Sequence, residues 1–101
     1  MTVVATDRRV QIIKALAHPA RLEIAQALAA GPRCVSDLQA LVGSDISTVS
    51  KHLALMRKAG WISCRKDGLH IFYRLACPCL NEFLQCVDSL GAEGSCNSPD
   101  C

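Results

Sequence analysis

Residues 45–74 read DISTVSKHLALMRKAGWISCRKDGLHIFYR, and this stretch decides the fold. Asp45 suits a helix N-cap, because a short side-chain oxygen can accept from the free backbone N–H groups of the first turn. From Ile46 to Ala59 the apolar residues Val49, Leu53 and Met56 recur at helical spacing, and Gly60 closes the run. The other face is polar, with Ser47, Thr48, Ser50, Lys51 and His52 near its start. Two alternating runs follow, over 61–66 and 69–75, with Asp67-Gly68 between them as a hairpin signal.

Upstream, Val10, Ile13, Leu16 and Ala17 form a helical stripe over 7–17, which His18-Pro19 interrupts. A second helix is predicted over 20–29, burying Leu22, Ala25 and Leu28, and Gly31-Pro32 stops it. Cys34 opens a short third helix that runs to Val42 and breaks at Gly43. Two helices joined by a short glycine turn, the second polar outside and followed by a basic hairpin, define a winged helix-turn-helix. The fold class is therefore mainly α with a β-hairpin wing. A last helix over 78–90 carries Leu80, Phe83, Leu84, Val87 and Leu90 as its apolar face. Residues 1–90 read as one DNA-binding and dimerisation domain. The remaining stretch 91–101, GAEGSCNSPDC, reads as a flexible cysteine-containing tail.

A chain of 101 residues, 50% hydrophobic, supports a single small domain with a modest core. Its net charge of +2 hides an uneven distribution. Lys51, Arg57, Lys58, Arg65, Lys66 and Arg74 face only Asp67 over 47–74, whereas 75–101 carries Glu82, Asp88, Glu93 and Asp100 and no base. A basic middle beside an acidic end fits one nucleic-acid face and one face turned elsewhere. No apolar run approaches the roughly 18 residues of a membrane span. MTVVATDRR shows no basic start followed by an apolar stretch, so a cytoplasmic protein is expected. In that compartment seven cysteines suggest metal or redox chemistry more than disulfides.

A recognition helix enters the major groove with its N-terminal residues nearest the bases. That nominates Ser47, Thr48, Ser50, Lys51 and His52, with Lys51 better suited to a phosphate. Arg65, Lys66 and His70 on the wing suit backbone or minor-groove contacts. The hydroxyls alone would also suit a solvated helix start; the hairpin behind them favours DNA. The expected partner is double-stranded operator DNA.

His18-Pro19-Ala20-Arg21-Leu22, the run STVSKHL at 47–53 and the hairpin ending Tyr73-Arg74-Leu75 together resemble the ArsR/SmtB family of bacterial metal-responsive repressors. The similarity covers roughly residues 8–90. It implies a homodimer, joined through its terminal helices, that occupies an operator when empty. Such a dimer leaves the DNA on binding a metal, a metalloid or a reactive sulfur species. Ile46 departs from the Gln usual there.

Family members place inducer sites at several spots. The arsenic-type branch resembles this chain near Cys34, but its second thiol position holds Ser36, so Cys34 reads as a small core residue; Cys64, in the wing's first strand beside Arg65, reads as structural or incidental. The zinc-type branch begins its C-terminal helix with Asp-x-His where this chain has Cys77-Pro78-Cys79. Thiolates favour soft ions. With Cys77 at the N-cap and Cys79 in the first turn, the helix end is expected to lower both thiol pKa values. Cys86 lies seven residues past Cys79, about 10.5 Å along the helix, too far for one ion. Antiparallel pairing, as the resemblance implies, sets the turn against residues near 91–93 of the partner. Cys96 is therefore expected as third ligand, from either subunit, with Cys101 as a substitute.

The expected inducer is As(III) or Sb(III), with Cd(II) or Pb(II) as alternatives. A thiol-redox or persulfide-responsive repressor using the same cysteines is the other open reading. A structural zinc clamp is a further use for the thiols. Enzymatic use of Cys77 or Cys79 is not expected, because no histidine lies suitably near in sequence.

Overall fold

A computed structural model describes residues 7–91. Five helices and three strands follow in the order α1 (Arg8–Lys14), α2 (Pro19–Ala29), β1 (Arg33–Cys34), α3 (Val35–Val42), α4 (Ile46–Ala59), β2 (Ile62–Asp67), β3 (His70–Leu75) and α5 (Leu80–Gly91). Helix α1 ends sooner than its apolar stripe. The N–H groups of Leu16 and Ala17 reach back only three residues, to the Ile13 and Lys14 carbonyls, each at 3.0 Å. Such tightened bonds are usual where a helix closes ahead of a proline. His18 then caps α2, its Nδ1 accepting from the Ala20 N–H at 3.1 Å, with Pro19 at the first helical position.

Strand β1 has no signal in the sequence. Two residues cannot display an alternation, and only β3 makes a strand of them, pairing Arg33 with Tyr73 and Cys34 with Phe72. The sheet runs β1-β3-β2, all antiparallel. The hairpin turn differs from expectation by one residue. Asp67 pairs with His70, so Gly68 and Leu69 make the turn. Gly68 has φ of 64° and no non-glycine residue among those described has positive φ, the pattern of a type II′ turn led by glycine. Leu69 is consequently 99% exposed at the tip.

The core gathers Leu16, Ile24, Ala25, Leu28, Leu38, Val49, Leu53, Met56, Ile62 and Leu80. Helix α4 inserts its expected face of Val49, Leu53 and Met56. In α2 Ile24 joins Ala25 and Leu28, while Leu22 is only partly buried. The terminal helices behave differently. α1 buries none of its residues and α5 only Leu80. Their stripes remain exposed at Val10, Ile13, Phe83, Val87 and Leu90. Two unpartnered apolar faces are what a dimer through terminal helices would cover. Among the described residues no helix is long and apolar enough to cross a membrane.

Candidate functional site

The helix-turn-helix is α3 and α4. Gly43 closes α3 at φ 70°, in the left-handed region where a side chain is disfavoured. Asp45 then caps α4, its Oδ1 accepting from the Thr48 N–H at 3.3 Å. Bonding to Thr48, side chain first and then backbone, holds the Asp45 carboxyl below its usual pKa, with Lys51 adding a smaller pull. Ser47, Ser50 and Lys51 project to solvent from this first stretch, and Thr48 is half-buried. On the wing Arg65, Lys66 and His70 are all exposed. Among the described residues the only ion pair joins Arg9 to Asp7 at 3.6 Å. The cations of α4 and the wing therefore face solvent without internal carboxylate partners, ready for phosphate.

His52, also nominated, has side-chain partners inside the chain. Its Nδ1 lies 3.1 Å from Arg21 Nη1, and its ring centroid is 4.6 Å from that of His18. A guanidinium can only donate, so this nitrogen accepts and the imidazole is neutral in this contact. Burial first, then the neighbouring His18 and Arg21, push its pKa below 6.5. Arg21 is itself anchored, its Nε donating to the Ala15 carbonyl at 2.7 Å. His52 thus ties α4 to the α1–α2 junction through Arg21 and His18. Arg21 went unassigned in the sequence. The HPAR run marked it only as part of a motif, and its partner lies 31 residues away.

A second tie joins α4 to the wing. Arg57 Nη1 donates to the Cys64 sulfur at 3.1 Å, which gives Cys64 its structural use and raises the Arg57 pKa. Cys34 is not a core residue. It is half-buried, stands at the α3 N-cap, and its sulfur lies 3.1 Å from Ser36 Oγ and 3.2 Å from Asp37 Oδ2.

The thiol pair lies where β3 gives way to α5. Cys77 and Cys79 bring their sulfurs to 3.2 Å. The helix begins at Leu80, two residues later than expected. The Leu80 N–H donates to the Cys77 carbonyl at 3.2 Å and the Phe83 N–H to the Cys79 carbonyl at 3.1 Å. Both cysteines are thus in a turn that precedes the helix. The expected lowering of both pKa values fails at Cys79. The hydrogen bond and charge of Cys77 come first, then burial, with Glu82 a lesser cause, and together they raise this thiol's pKa. Two sulfurs sharing one proton resist ionising together. Among the described residues no three His, Cys, Asp or Glu side chains are grouped to hold a metal ion. Cys86 is exposed on α5, and Cys96 and Cys101 lie outside the described residues.

Cap, glycine turn, half-buried second helix and basic two-stranded wing define a winged helix-turn-helix DNA-binding domain. Residues 18–63 match the model of the arsR family of bacterial regulatory proteins. A biofilm growth-associated repressor of Agrobacterium fabrum is 43% identical over 65 residues, 64% of this chain and 56% of its own length. The HTH-type regulator Rv0081 of Mycobacterium tuberculosis is 36% identical over 77 residues, 75% of this chain and 68% of that one. Its crystal structure superposes with a TM-score of 0.78 at 31% identity, covering 88% of this chain and 90% of that one. The homodimeric winged helix-turn-helix domain Mb0332 of Mycobacterium bovis gives 0.78 at 28% identity, covering 92% and 89%. The chain belongs to the ArsR family, a family of transcriptional regulators and not of enzymes. It spans only about half the length of the Agrobacterium repressor, 56%.

Proposed function

We propose that the protein is a homodimeric repressor that binds operator DNA and releases it when a soft ion binds Cys77 and Cys79. As(III) or Sb(III) is the favoured inducer, with Cd(II) and Pb(II) as the divalent alternatives. The carrying observation is the 3.2 Å approach of the two sulfurs in an accessible turn directly between wing and last helix. Two thiols at this spacing can converge on one centre whose chemistry favours sulfur. A pyramidal trithiolate requires one more, and Cys96 of either subunit is the proposed third ligand, with Cys101 as its substitute. The raised pKa of Cys79 implies that binding displaces a proton, so ion affinity should fall as pH falls.

Ser47, Thr48, Ser50 and Lys51 would meet the major groove, and Arg65, Lys66 and His70 the backbone beside it. His52 acts from behind, holding the recognition helix against Arg21. The exposed faces of α1 and α5 supply the second copy's docking surface. Drawing the thiol turn together around the ion favours a dimer in which the two α4 helices no longer match successive grooves. Coupling of this kind is typically about 1–3 kcal/mol and is reciprocal, so DNA must also weaken ion binding.

The test is operator binding by fluorescence anisotropy, titrated in parallel with As(III), Cd(II), Zn(II) and polysulfide. As(III) should weaken operator binding of the parent by about 5- to 150-fold. The Cys77→Ser/Cys79→Ser double variant should bind the operator normally and ignore As(III). If the double variant releases DNA as readily as the parent, the sensor lies elsewhere. Release by polysulfide alone would transfer the same thiols to a redox role.

A further inference from the structure

Trp61 meets four parts of the molecule at once. Its indole Nε1 donates to the Ile12 carbonyl of α1 at 2.7 Å. Its backbone N–H donates to the Met56 carbonyl of α4 at 3.1 Å, and its carbonyl accepts from the Ala76 N–H at 2.8 Å. Its ring stacks on Phe83 of α5, with centroids 6.4 Å apart and planes 26° from parallel. Phe83 in turn bonds the Cys79 carbonyl. The thiol turn is therefore gripped on both sides by one residue. Ala76 leads into it, Phe83 leads out of it, and Trp61 directly follows Gly60, the C-cap of the recognition helix.

We propose that Trp61 is the positioning residue through which movement of the Cys77–Cys79 turn reaches the recognition helix. The proposal rests on the thiol turn being the sensor. Bringing two sulfurs and a third ligand onto one centre displaces the Ala76 N–H and the Cys79 carbonyl together. Hydrogen bonds near 3 Å tolerate little stretching before they weaken. Packed aromatic contacts change between discrete arrangements instead of deforming smoothly. The indole therefore moves with the turn and carries the Met56–Gly60 end of α4 with it. The same ring pulls on Ile12, in a helix whose outer face is uncovered in the single chain. Occupancy of the turn thus alters both the angle of α4 and the surface that meets the second copy.

Trp61 is the sole tryptophan of the chain, and its emission reports on this junction alone. Trp61→Phe keeps a stacked ring but removes the donor to Ile12; Phe83→Leu keeps apolar bulk but removes the stack. Operator affinity is measured by anisotropy with and without saturating As(III), on a duplex selected from a random pool by the parent protein. As(III) affinity is measured separately by calorimetry. Saturating As(III) should shift the parent's tryptophan emission. In Trp61→Phe, ion-free operator affinity and As(III) affinity should stay within about threefold of the parent, while the As(III)-induced loss of operator affinity shrinks at least about fivefold. Phe83→Leu should shrink it in the same direction, and carries the test should Trp61→Phe fail to fold.

A residue that merely fills space would lower the melting temperature and leave that ratio unchanged. Parental ratios in the two variants, or an As(III)-saturated parent with unmoved emission, would overturn the proposal while leaving the thiol sensor standing. A parent that binds no As(III), or binds it and keeps its DNA, would remove the sensor reading and this proposal with it.

Discussion

Helices α4 and α5 flank the wing in sequence, and both are amphipathic, yet the chain treats them oppositely. α4 drives Val49, Leu53 and Met56 into the core and is capped at both ends by Asp45 and Gly60. It is further tied by His52 to Arg21 and by Arg57 to Cys64. α5 buries Leu80 alone and leaves Phe83, Val87 and Leu90 at 40%, 44% and 68% exposure. The reading helix is thus fixed by its own chain. The helix after the thiols is held by buried Leu80, by half-buried Leu84 and by the stack of Phe83 on Trp61. The first has its apolar face covered within one chain, and the second keeps most of its own uncovered.

The largest expected effect probes the covered helix. Leu53→Ala leaves a cavity beneath α4 and should lower stability by about 2–5 kcal/mol, read from urea unfolding. The equivalent truncation Leu90→Ala on α5 should change the stability of the isolated monomer little. Equal losses at the two sites would break the contrast.

Next comes the apolar face itself. Val87→Ser with Leu90→Ser should leave the fold intact but weaken self-association by about 2–4 kcal/mol, roughly thirtyfold or more in the dimer Kd. Sedimentation equilibrium measures this directly. An unchanged dimer would show that the exposed stripe of α5 serves another purpose.

The smallest effect sharpens the attachment of α4. Burial, with His18 and Arg21, keeps the folded pKa of His52 below its ordinary 6.5. Between that lowered value and 6.5 the unfolded chain binds a proton that the folded chain refuses. Its contribution to stability is therefore complete above 6.5 and is lost as pH falls through the folded value. His52→Gln should flatten this acid-side decline in unfolding titrations. A parent whose stability is level across that window would refute the half-buried, neutral imidazole.

Much of this was legible in the residues. Asp45, the spacing of Val49, Leu53 and Met56, and Gly60 define α4 to the residue, because caps and periodicity are local signals. Strand β1 was not legible, since it exists only through its pairing with β3. The turn slipped by one position because Asp67-Gly68 and Gly68-Leu69 both offer a glycine, and the cross-strand register chose between them. The link from His52 to Arg21 was not legible either, because the two lie 31 residues apart.

Local chemistry along the chain thus determined the helices, the basic wing and the adjacency of two thiols to the last helix, for each depends on neighbours within a few positions. The local turn at Cys77–Cys79 brings the two sulfurs to 3.2 Å, where sharing a proton raises the Cys79 pKa in place of the expected fall. Tertiary structure decided what those pieces touch. It made Trp61 the meeting point of α1, α4, α5 and the thiol turn, bonding the indole to a carbonyl 49 residues away. Distances of that kind follow from packing alone, which no spacing in a linear pattern encodes.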